Sequence, residues 1–209
     1  MRTIMFLIAM AAPVFADGER AGDFDYYVLS LSWSPSWCAL EGDAQQSPQC
    51  DEDRDLGWVL HGLWPQNEQG WPSYCRTGAG DPTRSETAAM ADIMGTSGAA
   101  WYQWQKHGRC SGLEADAFFE LARQAYNAVA RPEVFRKLTR PVTLPASVVE
   151  EAFLQANQGW TADMVTITCK SRRIQEARVC LTRDLTPRIC GADVVRDCTM
   201  SDALLDDIR

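Results

Sequence analysis

Residues 56–65 of the chain read LGWVLHGLWP, a stretch that joins a strand pattern to a histidine. Large apolar side chains occupy every second position up to Leu60, and a period of two predicts a β-strand. Pro65 donates no hydrogen bond to a neighbouring strand, so we expect the strand to stop before it. His61 is then placed at a strand end, on the opposite face from Trp58 and Leu60.

Patterns on both sides of this stretch predict the rest of the fold. Residues 24–33 read FDYYVLSLSW, in which alternating apolar side chains predict another strand. Apolar residues at helical spacing predict helices over residues 85–94, 99–107 and 116–129, and Ser147 opens a fourth with a capping box. Residues 164–169 and 174–181 again resemble strands. Because helices lie between groups of strands, we predict an α+β fold with a central antiparallel β-sheet flanked by helices.

The N-terminus has the pattern of an export signal. Arg2 precedes an apolar run from Ile4 to Phe15, which ends in Val14-Phe15-Ala16 with small residues at the spacing expected for cleavage. This pattern predicts a signal peptide over residues 1–16 and a single domain over residues 17–209. The run is too short for a stable membrane anchor, so we expect a secreted or periplasmic protein. We also expect the protein to be a monomer.

Cysteine content and charge narrow the class of protein. The chain has eight cysteines, an even number that predicts disulfides in an exported protein. Eight cysteines allow about 105 pairings, and the spacing alone selects none of them. None forms the C-x-x-C pair that is typical of zinc sites. A net charge of −8 argues against a broad basic face that grips long nucleic acid, DNA included.

The second histidine lies in the stretch WQKHGRC at residues 104–110. The spacing predicts a helix that ends near His107. Lys106 and His107 follow Gln103 by three and four residues, so their side chains share or adjoin its helix face. An amide, a cation and an imidazole on one face form a suitable site for a phosphoryl group.

His61 and His107 are the only histidines of the chain, and together they indicate proton-transfer chemistry. One imidazole can take a proton from an attacking hydroxyl while the other gives a proton to the leaving oxygen. Lys106 would stabilise the charge on phosphoryl oxygens, and no metal ion or other cofactor is needed. RNA carries its own nucleophile, the 2′-hydroxyl. Three aromatic side chains near the first motif are candidates for base stacking: Trp64, Trp71 and Tyr74.

Taken together, these motifs resemble those of the ribonuclease T2 family. The match includes YYVLSLSWSP at residues 26–35 with Trp37-Cys38, HGLWP at 61–65 with Tyr74-Cys75, and KHG at 106–108 with Cys110. It extends over most of the chain that follows the predicted signal peptide. The resemblance implies an α+β fold, and metal-independent cleavage of single-stranded RNA through a 2′,3′-cyclic phosphate.

The resemblance also implies roles for individual residues. His107 corresponds to the family's base, His61 to its acid, Lys106 to the residue that stabilises the transition state, and Trp64 to a residue that holds a base. The implied disulfides are Cys38–Cys50, Cys75–Cys110, Cys169–Cys198 and Cys180–Cys190.

Three positions near His107 depart from the family pattern. Gln103 stands where the family usually has Glu, and an amide can donate to a phosphoryl oxygen but cannot exchange a proton. Tyr102 stands where many members have a histidine that contacts phosphate, so we expect Tyr102 to bind substrate. Arg109 replaces a common Thr, and we expect it to add a positive charge near the site.

Three interpretations of the function remain open from the sequence, and the roles of several residues are open as well. Because Gln103 replaces Glu, the chain is either an active endoribonuclease or a weakened or inactive RNA- or nucleotide-binding protein on the same scaffold. Gln103 itself is either a phosphate contact or an ordinary helix-face residue. Trp64, Trp71 and Tyr74 are either base contacts or packing residues. A metal-binding protein that uses the histidines and cysteines is a third possibility, although its ligand spacings are poor.

Overall fold

The computed structural model describes residues 19–209, so the predicted signal peptide lies outside the described residues. Six strands form one sheet. They are β1 (Tyr26–Trp33), β2 (Trp58–Gln66), β3 (Val142–Leu144), β4 (Val165–Lys170), β5 (Arg173–Leu181) and β6 (Ala203–Leu205).

Most of the helices lie between β2 and β4 along the chain. The α-helices are α1 (Ser34–Trp37), α2 (Arg84–Ala89), α3 (Ala91–Met94), α4 (Ser97–Lys106), α5 (Ala115–Ala128) and α6 (Ala146–Ala156). A short π-helix covers Cys38–Gly42. Turns of 3₁₀-helix cover Pro48–Cys50, Gly108–Ser111, Glu133–Lys137 and Ala162–Met164.

The sheet has the order β2-β1-β5-β6-β3, and β4 pairs with β5. All pairings are antiparallel except that of β5 with β6, which is parallel and consists of Arg173 opposite Leu204. The predicted α+β fold, with a central sheet flanked by helices, is therefore confirmed, and the one parallel pairing makes the sheet mixed.

The strands are held by an apolar core on one face of the sheet and a smaller cluster on the other. All eight residues of β1 are buried, because this strand lies between β2 and β5 and is covered on both faces. The larger core packs β1 and β2 side chains such as Trp33 and Leu63 against Trp104, Phe118 and Phe153 from the helices. The smaller cluster contains Tyr26, Val28, Cys180, Cys190 and Val194, with Trp64 packed against it.

Three predicted boundaries were wrong. β2 continues through Pro65, which is tolerated because β2 is an edge strand whose outer side needs no donor, so His61 lies within the strand rather than at its end. The helix predicted over residues 85–94 divides at Met90. The capping box at Ser147 does not form, because Pro145 occupies the N-cap of α6. A capping box forms instead between Thr83 and Glu86 of α2.

Four disulfides fasten loops to this framework. They pair Cys38 with Cys50, Cys75 with Cys110, Cys169 with Cys198, and Cys180 with Cys190, which is the pairing that the resemblance implies. All eight cysteines are thereby bonded, so the idea that they bind a metal ion is wrong. Within residues 19–209, no helix has both the length and the apolar character that a membrane crossing requires.

Candidate active site

A β-bulge directs His61 out of the sheet. Ser30 of β1 pairs with Gly62 and Leu31 pairs with Leu60, so His61 has no partner on β1. An extra residue of this kind bends the strand and re-aims its side chain. The His61 side chain is 42% exposed, whereas Trp58 and Leu60 lie in the core as predicted.

His61 is hydrogen-bonded to a buried carboxylate. Its Nδ1 lies 2.6 Å from Oε1 of Glu176 on β5, and Arg178 donates to the other carboxylate oxygen from Nε at 2.9 Å and Nη2 at 2.7 Å. Burial alone would raise the pKa of Glu176, but the hydrogen bond and charge of His61, together with Arg178, lower that pKa to about 2. Because an ionised carboxylate only accepts, Nδ1 of His61 carries a proton and Nε2 is left for substrate.

His107, unlike His61, is buried and has no carboxylate partner among the described residues. This residue ends α4 and is buried, and its Nδ1 has no hydrogen-bond partner within residues 19–209. Burial, followed by the charges of Lys106 and His61, lowers the pKa of His107 to about 3. The imidazole is therefore neutral at physiological pH and can accept a proton.

Trp64 lies between the two imidazoles. Its ring centroid is 5.3 Å from that of His61 in an edge arrangement and 5.2 Å from that of His107 in a stacked one. Its indole Nε1 donates to Oε1 of Gln103 at 2.8 Å. This hydrogen bond joins β2 to α4 and fixes the distance between the elements that carry the two histidines.

The same hydrogen bond fixes the orientation of the Gln103 amide. An indole N–H is only a donor, so the atom that faces it must be the amide oxygen. Nε2 of Gln103 makes no hydrogen bond to the described residues and remains free to donate, although the side chain as a whole is buried. Gly62 leaves room for this arrangement, since a Cβ there would collide with Gln103 Oε1 and Trp64 Nε1.

The remaining predicted residues lie at different depths. Lys106 has its Nζ 5.9 Å from the ring centroid of Tyr102, and both residues line the cleft that contains the histidines. Tyr74 is 57% exposed and does not line that cleft, and its proximity to Tyr102 raises the pKa of its hydroxyl. Trp71 is exposed at the rim of the cleft. The structure therefore groups Tyr102 and Trp71 with the site and leaves Tyr74 outside the cleft.

Arg109 does not supply the extra charge that the sequence suggests. Its Nη2 lies 2.6 Å from Oδ1 of Asp81, and Trp104 and Gln105 donate to the same oxygen, each at 3.0 Å. Arg109 lines neither of the clefts that meet at the histidines. Its charge fastens the 3₁₀ turn after α4 to the loop before α2.

Two clefts meet at this site. The first has a volume of about 460 Å³ and the second about 730 Å³. His107, Lys106 and Trp64 line only the first cleft. The residues common to both clefts are His61, Tyr102, Gln103, Gln175 and Glu176. A substrate with two bulky groups around one phosphate can thus place one group in each cleft.

Glu176 and Arg178 are site residues that the sequence analysis missed. Their signal is the pair of opposite charges two positions apart in a strand, which places both on one face. The predictions for His61, His107, Lys106 and Gln103 concern side chains that the structure brings to one cleft.

Comparisons of the sequence and of the structure with known proteins all lead to ribonucleases. The sequence model described as the Ribonuclease T2 family matches residues 24–198. A ribonuclease from Aeromonas hydrophila is 33% identical over 222 residues, which covers 100% of both chains. A probable ribonuclease from Haemophilus influenzae is 35% identical over 131 residues, or 56% of this chain and 46% of that protein. The solved structure of RNase NT in complex with 5′-AMP has a TM-score of 0.65 at 22% identity and covers 90% of this chain and 100% of that one.

Proposed function

The chain belongs to the ribonuclease T2 family and is an endoribonuclease of that type, and we propose that it is exported and cleaves single-stranded RNA without a metal ion. The reaction is a transesterification in which the 2′-hydroxyl attacks the adjacent phosphorus. The bond from the 2′-oxygen to phosphorus forms, the bond to the 5′-oxygen of the next nucleoside breaks, and a 2′,3′-cyclic phosphate remains. The predicted signal peptide and the four disulfides support export.

The observation that carries this proposal is the contrast between the two histidines. His107 is neutral at physiological pH, which suits the base that takes the 2′-hydroxyl proton. His61 is hydrogen-bonded to the ionised Glu176, which stabilises the imidazolium and suits the acid that protonates the leaving 5′-oxygen. A bound phosphate places a negative charge beside His107 and so increases its basicity during the reaction.

Charge on the phosphoryl oxygens is met by side chains of α4. Lys106 supplies a cation in the cleft, and the free Nε2 of Gln103 supplies a neutral donor. Trp64 and Tyr102 offer aromatic surface to the bases.

The distribution of the histidines sets the polarity of the RNA. His107 lines only the first cleft, so the nucleoside with the attacking hydroxyl occupies that cleft. His61 also lines the second cleft, so the leaving nucleoside occupies the second.

The proposal is tested by incubating the protein with single-stranded RNA in EDTA and analysing the products. We expect cleavage with 2′,3′-cyclic phosphate ends, because the proton transfers need no metal ion. Single-stranded DNA of the same sequence is the control and should remain intact, since it has no 2′-hydroxyl. Loss of RNA cleavage in EDTA, or cleavage of the DNA, would contradict the mechanism.

A second candidate function is RNA or nucleotide binding without turnover, and Gln103 is the residue that favours it. That candidate predicts RNA binding with no cyclic phosphate after long incubation in the same assay.

Replacing Gln103 with Glu should raise turnover near neutral pH several-fold. A carboxylate at this position would accept the Trp64 N–H as the amide does and would add a negative charge beside His107. That charge opposes the lowering of the His107 pKa, so the acidic limb of the pH–rate profile should move to higher pH and the base should become stronger. The measurement is kcat/KM against pH for both proteins, with Gln124→Glu on the exposed side of α5 as the control. An unchanged pH–rate profile would mean that the Gln103 amide supports catalysis as well as a carboxylate does.

A further inference from the structure

The second cleft extends beyond the residues that carry out the chemistry. Its outer wall is formed by the π-helix at Cys38–Gly42 and the loop after it, and by the end of β4. Among the described residues that line this cleft, Lys170 is the only lysine or arginine. Lys170 lies at the outer end of the cleft proposed for the leaving nucleoside, and the reaction described above gives it no role.

Lys170 is held in place by its backbone. The adjacent Cys169 is bonded to Cys198, and Lys170 pairs with Arg173 across a two-residue turn. The two turn residues, Ser171 and Arg172, have φ values of 48° and 64°, as a tight hairpin turn requires. The cation therefore projects from a rigid hairpin.

The Lys170 side chain has one ionic partner among the described residues. Its Nζ forms an ion pair with Oε1 of Glu41 on the π-helix, and the two side chains are 48% and 35% exposed. Exposed ion pairs contribute little to stability, because water screens both charges. Glu41 can therefore give way to another anion at small cost.

We propose that Lys170 binds the phosphate on the 3′ side of the leaving nucleoside, and that Glu41 competes with that phosphate for Nζ. This inference rests on the proposed function, because it takes the polarity of the RNA from the positions of the two histidines. It adds a phosphate subsite, one nucleotide beyond the bond that is cleaved.

The charge balance of the molecule supports such a subsite. The net charge of −8 repels RNA at long range, so local cations must hold the phosphates. Lys106 lies at the bond that is cleaved, and Arg178 is engaged by Glu176. Lys170 is thus the cation in the second cleft that can meet a second phosphate.

The test compares two substrates, a dinucleoside monophosphate and the same dinucleotide with a 3′-terminal phosphate. For the wild type, kcat/KM should be about two- to fivefold higher for the phosphorylated substrate, as expected for one screened charge pair. In Lys170→Gln this ratio should fall to about one, with the unphosphorylated substrate cleaved as before. In Glu41→Gln the ratio should instead rise, because the competing anion is gone.

Lys137→Gln is the matched control, since Lys137 is an exposed lysine that lines neither cleft. It should leave the ratio as in the wild type. If the ion pair only ties the cleft together, Lys170→Gln and Glu41→Gln will change the cleavage of both substrates in the same direction, and the subsite is wrong. A wild-type ratio of about one would also overturn it, while continued cleavage of both substrates would leave the proposed endoribonuclease function intact.

Discussion

Alanine in place of either His61 or His107 should lower kcat for RNA cleavage by about 10²- to 10⁴-fold, the usual range for loss of a general acid or base. The two transfers belong to one reaction, so the double variant should lose far less than the product of the single losses. The assay is single-turnover cleavage of a short RNA. His107 is buried and stacks on Trp64, so thermal unfolding should accompany each assay to separate lost chemistry from lost structure.

A substrate with a good leaving group distinguishes the acid from the base. A nucleoside 3′-(4-nitrophenyl phosphate) releases nitrophenolate, which needs no proton. His61→Ala should therefore recover most of its activity on this substrate, and His107→Ala should not, because the 2′-hydroxyl still has to lose its proton. Recovery by the His107 variant alone would reverse the two assignments. Equal and nearly full activity of both variants on RNA would refute the mechanism.

Glutamine in place of Glu176 should lower kcat by about 10- to 10²-fold and move the alkaline limb of the pH–rate profile to lower pH. The amide preserves the shape of the carboxyl group but removes the charge that stabilises the His61 imidazolium and fixes its Nδ1 proton. It also leaves Arg178 without its carboxylate partner. The measurement is kcat and KM from acid to alkaline pH.

Glu120→Gln is the control for this substitution, because Glu120 lies exposed on α5 away from both clefts. A role limited to structure predicts that Glu176→Gln unfolds at lower temperature and loses activity equally at every pH. An alkaline limb that stays in place would show that Glu176 does not act through His61.

Four of the six strands and the two histidine motifs were predictable because hydrophobic alternation and motif spacing are local, whereas β3 and β6 are only three residues long and too short to show an alternation. The bulge at His61 also left a signal that the sequence analysis did not use. Core residues fall at Trp58 and Leu60, and then at Leu63, so the alternation changes phase across residues 61–62. A strict period of two would have placed Gly62 and Trp64 in the core. That change of phase is what puts Leu63 into the core and Trp64 on the cleft side of the strand, beside His61.

Other parts of the site depend on contacts between distant segments. Glu176 is separated from His61 by 115 residues, and no local pattern assigns it to that imidazole. Arg109 illustrates the reverse, because its charge looked available in the sequence and is taken up by Asp81. The capping box at Ser147 failed for a local reason, namely that the preceding proline already sets the start of the helix.

The hydrogen bond from Trp64 to Gln103 joins the sheet, which carries His61, to the helical layer, which carries His107. Neither layer contains both histidines. Cleavage by the proposed mechanism therefore requires the two layers to be docked against each other. On that mechanism, a chain whose sheet and helical layer are not yet packed together has no complete site and would leave nearby transcripts uncut.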